Sequence, residues 1–235
     1  MSPITVEVWS DIACPWCYIG KRRFEEGLRR YRATGGDAAV EVVFRSFELA
    51  PDQPEDVTST VVEYLSERKG LPLAQVEQML THVSGLAAAE GLHYDFGAVQ
   101  QTRTLKAHEL LHLAHERGLQ EPMKERLLAA YFAQGRHVGR VDELADLAAE
   151  VGLDHDDVVE ALRSGRYAPA VQADIDQARA YGISGVPFYV IDARYGISGA
   201  QAPETFAAAL AQAAADHAAA PGGEPRVDQP AAAGA

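Results

Sequence analysis

Residues 13–18 read ACPWCY and contain the only two cysteines of the 235-residue chain, Cys14 and Cys17. Because proline is well tolerated at the first position of a helix, Pro15 predicts a helix that begins at Cys14. Residues 4–9 (ITVEVW) alternate apolar and polar side chains directly before this motif, as a strand does. The N-terminus is therefore predicted to be a strand followed by a helix that carries both cysteines at its start.

Three further strands and a final helix are predicted around a long interruption. The first helix should end near Gly35-Gly36, and residues 40–49 (VEVVFRSFEL) are typical of a second strand. The third and fourth strands are predicted at residues 186–191 and 194–197, and the final helix begins at Pro203. About 135 residues separate the second strand from the third, which is too long for a plain loop.

The interruption is rich in helix signals. Amphipathic segments follow one another there, and glycines stand where the segments should end, as they commonly do at helix C-termini. We predict helices at residues 57–69, 73–90, 98–117, 122–135, 141–151, 155–164 and 168–181, with terminating glycines at Gly91, Gly118, Gly135, Gly152, Gly165 and Gly182.

These elements predict an α/β protein with a thioredoxin-like fold and a large all-helical insertion between the second and third strands. The first two strands should be parallel with a right-handed crossover, and the last two should form an antiparallel hairpin. We assign residues 1–54 plus 169–217 to the thioredoxin-like domain and residues 55–168 to the helical insertion domain. Residues 218–235 lack apolar periodicity and are predicted to be a disordered tail.

Composition limits the classes of partner and compartment. The net charge of −13 argues against nucleic acid, because phosphate binding needs a basic surface. The N-terminal segment has no secretory signal features, and no apolar run approaches the roughly 20 residues that span a bilayer. We therefore expect a cytoplasmic protein that is not bound to a membrane. In that compartment a lone C-x-x-C pair is more often redox-active or metal-bound than a structural disulfide.

The two thiols should differ in reactivity. Unpaired backbone N–H groups and the positive end of the helix dipole favour a thiolate at Cys14. Cys17 lies one turn inside the helix, where we expect it to be more buried. Cys14 is therefore predicted to attack substrate and Cys17 to resolve the mixed disulfide. The carboxylate of Asp11 acts in the opposite direction, since a nearby negative charge raises the pKa of a thiol.

Two other interpretations of the cysteine pair stay open. The thiols could be buried and unreactive, or they could be half of a zinc site. Zinc takes about four ligands, and without a second C-x-x-C motif histidines would have to supply the others. We favour redox chemistry, with no metal and no cofactor other than the redox-active disulfide. Trp16 beside the thiols would offer an apolar surface to a substrate.

Residues 183–188 (ISGVPF) place Pro187 at the start of the third strand. An X-Pro bond is the one place where a cis peptide costs little free energy. An ordinary trans proline opening an edge strand is the alternative, but in a chain with a C-x-x-C motif we expect the Val186–Pro187 bond to be cis and to face the thiols. The backbone of Val186 would then be free to pair with an extended substrate.

Four stretches together resemble one known family: SDIACPWCYIGKRRFE, FRSFELAP, GISGVPFYVID and RYGISGAQAPETF are similar to the FrnE-type branch of the DsbA-like thioredoxin superfamily. The resemblance covers nearly the whole chain outside the tail. It implies a dithiol–disulfide oxidoreductase that acts on protein or small-molecule thiols and disulfides. By position, the active pair falls on Cys14 and Cys17 and the cis-proline on Pro187.

The resemblance also implies a cellular setting. Family members are associated with cytoplasmic redox chemistry and, in some cases, with polyketide biosynthesis. Related branches with serine at the position of Cys14 use glutathione, so a glutathione-dependent isomerase or transferase of the kappa or hydroxychromene-carboxylate type is the alternative function. The motifs and the resemblance together predict substrate-binding residues at Pro15, Trp16, Val186, His108, Gly199 and Gln201.

Residues 108–112 read HELLH and match H-E-x-x-H, the zinc-peptidase signature. On a helix, His108 and His112 would share a face, and Glu109 could activate water. The pattern is short, and polar residues are common at the edge of an amphipathic helix. A zinc peptidase is therefore the least favoured function, and a place for His108 near the thiols is a further interpretation.

The predicted insertion would also have a role at the site. A thioredoxin-like core does not need the added helices to bury its sheet, so residues 55–168 must pack elsewhere on it. We expect them to overhang Cys14 as a lid that decides which substrates reach it. The groove between this lid and the CPWC loop should be lined by Trp16 and His108.

Overall fold

The computed structural model describes residues 3–219, which form four strands and nine helices. The strands are β1 (Ile4–Ser10), β2 (Val40–Ser46), β3 (Phe188–Ile191) and β4 (Tyr195–Ser198). The helices are α1 (Pro15–Ala33), α2 (Val61–Lys69), α3 (Leu73–Ala89), α4 (Leu105–Glu116), α5 (Gln120–Gln134), α6 (Val141–Ala149), α7 (His155–Ser164), α8 (Ala168–Ala180) and α9 (Pro203–Ala219).

The strands form one mixed sheet in the order β2-β1-β3-β4. β1 and β2 are parallel, with Ile4 opposite Val40. β3 is antiparallel to both β1 and β4, and its Phe188 lies opposite Trp9 of β1. The helices α2 to α7 enter the chain between β2 and β3, so the predicted α/β thioredoxin-like fold with a helical insertion is confirmed. The handedness of the connection from β1 to β2 stays a prediction.

The thiol motif lies where β1 gives way to α1. Pro15 is the first residue of α1 and Cys14 is its N-cap, as the sequence predicted. The Cys17 N–H donates to the Cys14 carbonyl over 3.0 Å, which closes the first turn. Phe24 holds the inner face of α1 against the sheet, because its ring stacks on Tyr189 of β3 with centroids 5.6 Å apart. These contacts fix the position of the N-terminus of α1 relative to the sheet.

Helix ends agree with the sequence better than helix starts. α2 begins after Thr60, whose side chain forms a capping box with Glu63, rather than at residue 57. The helix predicted from residue 98 begins only at α4, because the Arg103 N–H donates to the Pro54 carbonyl over 3.1 Å instead of entering a helical ladder. All six predicted terminating glycines have positive φ, the region that glycine favours: Gly91, Gly118, Gly135, Gly152, Gly165 and Gly182.

Two strands are shorter than predicted. β2 ends at Ser46 rather than at Leu49, because the Leu49 N–H donates to the carboxylate of Asp11 over 2.8 Å instead of to a neighbouring strand. β3 begins at Phe188 because Pro187 has no N–H to contribute to the ladder. Both changes leave irregular backbone beside the N-terminus of α1.

Buried side chains form two large clusters. One lies between the sheet, α1 and α9 and includes Val8, Tyr189 and Phe206. The other fills the helical insertion, and Ile12 and Ile19 from the thiol motif reach into it. The division into domains at residues 54/55 and 168/169 stays a prediction. The predicted tail begins too early, because α9 continues to Ala219, and residues 220–235 lie outside the described part of the chain.

Gln120 connects the helical insertion to β2, the outermost strand on one side of the sheet. Its side-chain Oε1 accepts from the Phe44 N–H of β2 and its Nε2 donates to the Phe44 carbonyl, both over 2.9 Å. The buried amide therefore takes the place of a neighbouring strand. This covers an edge that would otherwise expose unpaired backbone groups.

We predict that Gln120→Met lowers the free energy of unfolding by about 2–4 kcal/mol, because two buried backbone groups of Phe44 lose their partners. Equilibrium unfolding in urea measures the difference. Gln134→Met, at the exposed end of the same helix, is the matched control and should change stability little. Equal stabilities of the two variants would contradict a role of Gln120 in covering β2.

Candidate active site

Both cysteines are free thiols and both are buried, with Cys14 4% and Cys17 3% exposed. The expected difference in burial is therefore wrong, because the first turn of α1 lies beneath the helical insertion. The difference between the thiols lies in their partners. Cys14 Sγ lies 3.5 Å from the Val186 carbonyl oxygen. Burial first, and then the neighbouring Cys14, raise the pKa of the Cys17 thiol well above its usual value.

The Val186–Pro187 peptide bond is cis, as the sequence analysis expected. It places the Val186 carbonyl directly against Cys14 Sγ. Within residues 3–219 the Val186 N–H makes no hydrogen bond, so this donor is free beside the thiol. A substrate that approaches Cys14 therefore meets a backbone donor and acceptor from one residue.

Asp11 is a buried carboxylate behind the thiol loop. It accepts from the Leu49 N–H over 2.8 Å, and its Oδ1 lies 3.3 Å from Nε2 of His108. Burial raises the pKa of Asp11, but the hydrogen bond and charge of His108 and the Leu49 N–H outweigh it and leave the pKa below its usual value. The contribution of Asp11 to the Cys17 pKa comes through a backbone hydrogen bond, and it lowers that pKa.

His108 does not line the groove, contrary to its predicted place among the substrate-binding residues. α4 turns its side chain inward, where it is fully buried against Asp11. His112 faces a different set of groups, and its Nε2 lies 3.1 Å from both Ser46 Oγ and Asp174 Oδ2. The HELLH histidines therefore contact separate carboxylates. Among residues 3–219, no group of three or more His, Cys, Asp or Glu side chains is placed to hold a metal ion.

The loop from Gly199 to Gln201 makes hydrogen bonds within itself and to the cis-proline turn. The Gly199 N–H donates to the Pro187 carbonyl over 2.8 Å, and the Gly199 carbonyl accepts from the Gln201 N–H over 3.0 Å. The Gln201 side chain donates to the Ser198 carbonyl over 2.8 Å. These groups support the cis-proline turn from behind, so the prediction that Gly199 and Gln201 bind substrate is not supported by their hydrogen bonding.

A cavity of about 800 Å³ opens at Cys14 and runs beneath the helical insertion. We call it the thiol groove. Cys14 lines it, whereas Cys17 lies behind it, and Trp16 stands at its rim with 40% of its surface exposed. Its walls are mainly apolar and come from the thiol loop, α2, α3, α5, the segments after β2 and α3, and the segment before β3. They include Pro15, Val186, Leu49, Val61, Tyr64, Leu65, Met79, Leu80, Val83, Phe96, Val99, Tyr131 and Phe132.

Contacts that the sequence analysis did not foresee fix the insertion over the thiols. The Tyr94 hydroxyl donates to the Pro15 carbonyl over 2.7 Å. Arg23 of α1 binds Glu90 with its Nε 2.6 Å from the carboxylate. Tyr94 and the end of α3 are therefore attached to the first turns of α1. The apolar periodicity of α3 showed a buried face but could not show that this face covers Cys14.

We predict that Asp11 contributes stability that depends on pH. Because its folded pKa lies below the ordinary value of 3.8, the contribution is complete above pH 3.8 and is lost as the pH falls through the folded pKa. The stability difference between the wild type and Asp11→Asn should be constant near neutrality and shrink in acid. Urea unfolding across that range measures it, with the exposed Asp156→Asn as control. A difference independent of pH would contradict the assignment.

Within residues 3–219 no helix combines the length and apolar character needed to cross a lipid bilayer. The sequence matches the family described as DSBA-like thioredoxin domain over residues 5–211. A curated relative, the uncharacterized protein YwbO of Bacillus subtilis (strain 168), is 28% identical over 193 residues, which cover 80% of this chain and 86% of YwbO.

Solved structures agree with this match. A probable DsbA oxidoreductase from Streptomyces coelicolor has 42% sequence identity and a TM-score of 0.83, with 89% of each chain covered. The cytosolic disulfide reductase DsbM from Pseudomonas aeruginosa, solved with GSH, has a TM-score of 0.60 at 17% identity, over 88% of this chain and 98% of that one, and shows a shared fold alone. The chain belongs to the DsbA-like thioredoxin-domain family and is a disulfide oxidoreductase.

Proposed function

We propose that this oxidoreductase uses Cys14 and Cys17 as its reacting pair, with Cys14 attacking and Cys17 resolving. The observation that carries the proposal is that Cys14 lines the thiol groove while Cys17 lies behind it. Cys14 is the N-cap residue of α1, and its Sγ lies 3.5 Å from the Val186 carbonyl oxygen beside the groove. The raised pKa of Cys17 keeps that residue a thiol until the mixed disulfide has formed.

The reaction then runs in two exchanges. The Cys14 thiolate attacks a substrate disulfide, forms a mixed disulfide and releases the first substrate sulfur as a thiolate. Cys17 loses its proton and attacks Cys14 Sγ, which closes the Cys14–Cys17 bond and releases the second substrate sulfur. Two electrons pass from the protein to the substrate. The reverse sequence oxidises a substrate dithiol, and the free N–H and carbonyl of Val186 would hold the substrate backbone in either direction.

We predict that alkylation at graded pH modifies Cys14 before Cys17. Cys17→Ser should accumulate mixed disulfides with substrates, because no thiol is left to resolve them. Cys14→Ser is the matched control and should accumulate none. Mass spectrometry of both variants after exposure to a small disulfide measures this. Equal alkylation rates would contradict the assigned roles. Mixed disulfides on Cys17 would reverse them.

The thiol groove favours substrates with an apolar body. Its volume of about 800 Å³ lies within the range of small-molecule sites, and its walls are mostly apolar. The exposed rim residues Trp16 and Met79 extend the apolar surface outward. We extend the proposal to a cytoplasmic FrnE-type enzyme that acts on an apolar disulfide or thiol, with secondary metabolism as the setting. The cytosolic DsbM of Pseudomonas aeruginosa supports the compartment.

Glutathione is the second candidate substrate, and one observation favours it. Lys69 of α2 lies at the groove in a chain of net charge −13, where its side chain could receive a carboxylate; the adjacent Arg68 pairs with Asp52. The Pseudomonas aeruginosa DsbM was solved with GSH. Under this alternative a hydrophilic, acidic disulfide would react in preference to an apolar one.

We predict that Met79→Ala raises the KM for an apolar aromatic disulfide about three- to tenfold, because its side chain loses roughly 1 kcal/mol of apolar contact with the substrate. Oxidised glutathione should be affected less. Leu73→Ala is the matched control, since Leu73 lies exposed on the same helix α3 but outside the groove. Steady-state kinetics with both substrates separate the candidates. A preference for oxidised glutathione that survives Met79→Ala would favour the glutathione-dependent function.

A further inference from the structure

A lysine is buried without a partner behind the thiol pair. Lys124 of α5 is 1% exposed, and within residues 3–219 its Nζ makes no hydrogen bond. The nearest aromatic ring is that of Phe44 on β2, with its centroid 5.7 Å from Nζ. An unpaired buried ammonium is costly, so a lysine in this place calls for a function.

Side-chain bonds join α1 to α5 next to Cys17 and Lys124. Tyr18, the residue after Cys17, donates from its hydroxyl to Glu125, the residue after Lys124, over 2.6 Å. One turn further along α1, Lys21 Nζ lies 2.9 Å from Glu125 Oε2. The residues that follow Cys17 and Lys124 are therefore bonded to each other. Cys17 and Lys124 themselves are both buried, 3% and 1% exposed, and the charge of each acts on the other.

The other charges around Lys124 are already satisfied. Lys21 is neutralised by Glu25 and Glu125. Asp11, whose charge also reaches Lys124, is held by His108 and by the Leu49 N–H. The charges of Cys17 and Cys14 are among the strongest that act on Lys124, and that of Cys17 acts most strongly.

We propose that Lys124 exchanges a proton with Cys17 each time the Cys14–Cys17 disulfide forms or opens, an inference that rests on the function proposed above. Lys124 does not contact the substrate. It acts only through Cys17, by holding the proton that this thiol gives up or takes back. Burial lowers the pKa of Lys124 and raises that of Cys17, which brings the proton affinities of the amine and the thiolate towards each other.

Each proton is accounted for both when the Cys14–Cys17 disulfide forms and when it opens. When the mixed disulfide resolves, the Cys17 thiol gives its proton to the neutral Lys124 amine, and its sulfur attacks Cys14 Sγ. The substrate sulfur leaves as a thiolate with the electron pair of the broken bond and takes a proton from water. The Lys124 ammonium then gives its proton back to water, which restores the neutral amine. When a substrate thiolate opens the disulfide, Cys17 leaves as a thiolate and takes a proton from the Lys124 ammonium.

The first test titrates Cys17 alone. Because the chain has only two cysteines, Cys14→Ser leaves Cys17 as the sole thiol, and ultraviolet thiolate absorbance reports its ionisation. Adding Lys124→Met to this variant should raise the Cys17 midpoint by about two pH units, since the Cys17 thiolate loses the Lys124 ammonium that forms when the amine takes its proton. Adding Lys21→Met instead is the matched control, because the charge of Lys21 is already offset by Glu25 and Glu125.

The second test follows single turnover with an aromatic disulfide whose thiolate is coloured. Attack by Cys14 releases the first equivalent and attack by Cys17 releases the second. Lys124→Met should slow the second release about tenfold at neutral pH, because a two-unit rise in pKa lowers the thiolate fraction more than it raises nucleophilicity. The first release should change much less. Lys21→Met should leave the second release near the wild-type rate.

Each outcome decides one question. A wild-type protein that releases no second equivalent would contradict the proposed function itself. A wild type that releases both, with an unchanged midpoint and rate in Lys124→Met, would overturn the role of Lys124 alone. Lys124→Met removes an unpaired buried charge and no hydrogen bond, so it should fold. Lys124→Gln provides a second neutral side chain for the same measurements if the Met variant does not fold.

Discussion

The buried carboxylate of Asp11 is the contact on which the arrangement of the site depends. It directly follows β1, accepts from the Leu49 N–H beyond the end of β2, and contacts His108 of α4. Three segments distant in sequence therefore meet at one side chain, immediately before the thiol loop. Because a buried charge must be paired or hydrogen-bonded, these segments cannot move independently without exposing or orphaning it. The start of α1 and the helical insertion are thereby fixed to each other.

The insertion adds a groove to the thioredoxin-like site. Tyr94 and Glu90 bind the first turns of α1, and Gln120 covers the edge strand β2. Together they hold the apolar faces of α2 and α3 over Cys14, which creates the thiol groove. The thiols do not differ in exposure, so the roles proposed for them depend on what each one faces. Cys14 lines the groove and lies against the Val186 carbonyl, while Cys17 does not line the groove.

The interior behind Cys17 is unusual for a protein core because it contains charge. Lys21 has two carboxylates for partners, whereas Lys124 has none within residues 3–219. This contrast explains why two buried lysines in neighbouring helices need not have the same role. A fully paired charge mainly fixes geometry, but an unpaired amine beside a thiol can still gain and lose a proton. Burial thus connects the fold of the insertion to the acid–base chemistry proposed for Cys17.

The sequence by itself determined the local features. The start of α1 at Pro15, the strands on either side of the insertion and the glycines that end the helices depend on near neighbours along the chain. Only the tertiary structure decided the surroundings of His108, Gly199 and Lys124. Periodicity placed the histidine on a helix edge, but the Asp11 carboxylate comes from 97 residues away. Lys124 occupies the same buried helix face as Gln120, a pattern that could have marked it as unusual. Its nearness to Cys17 depends on the packing of α5 against α1, and no local pattern encodes that packing, because each helix is compatible with many partners.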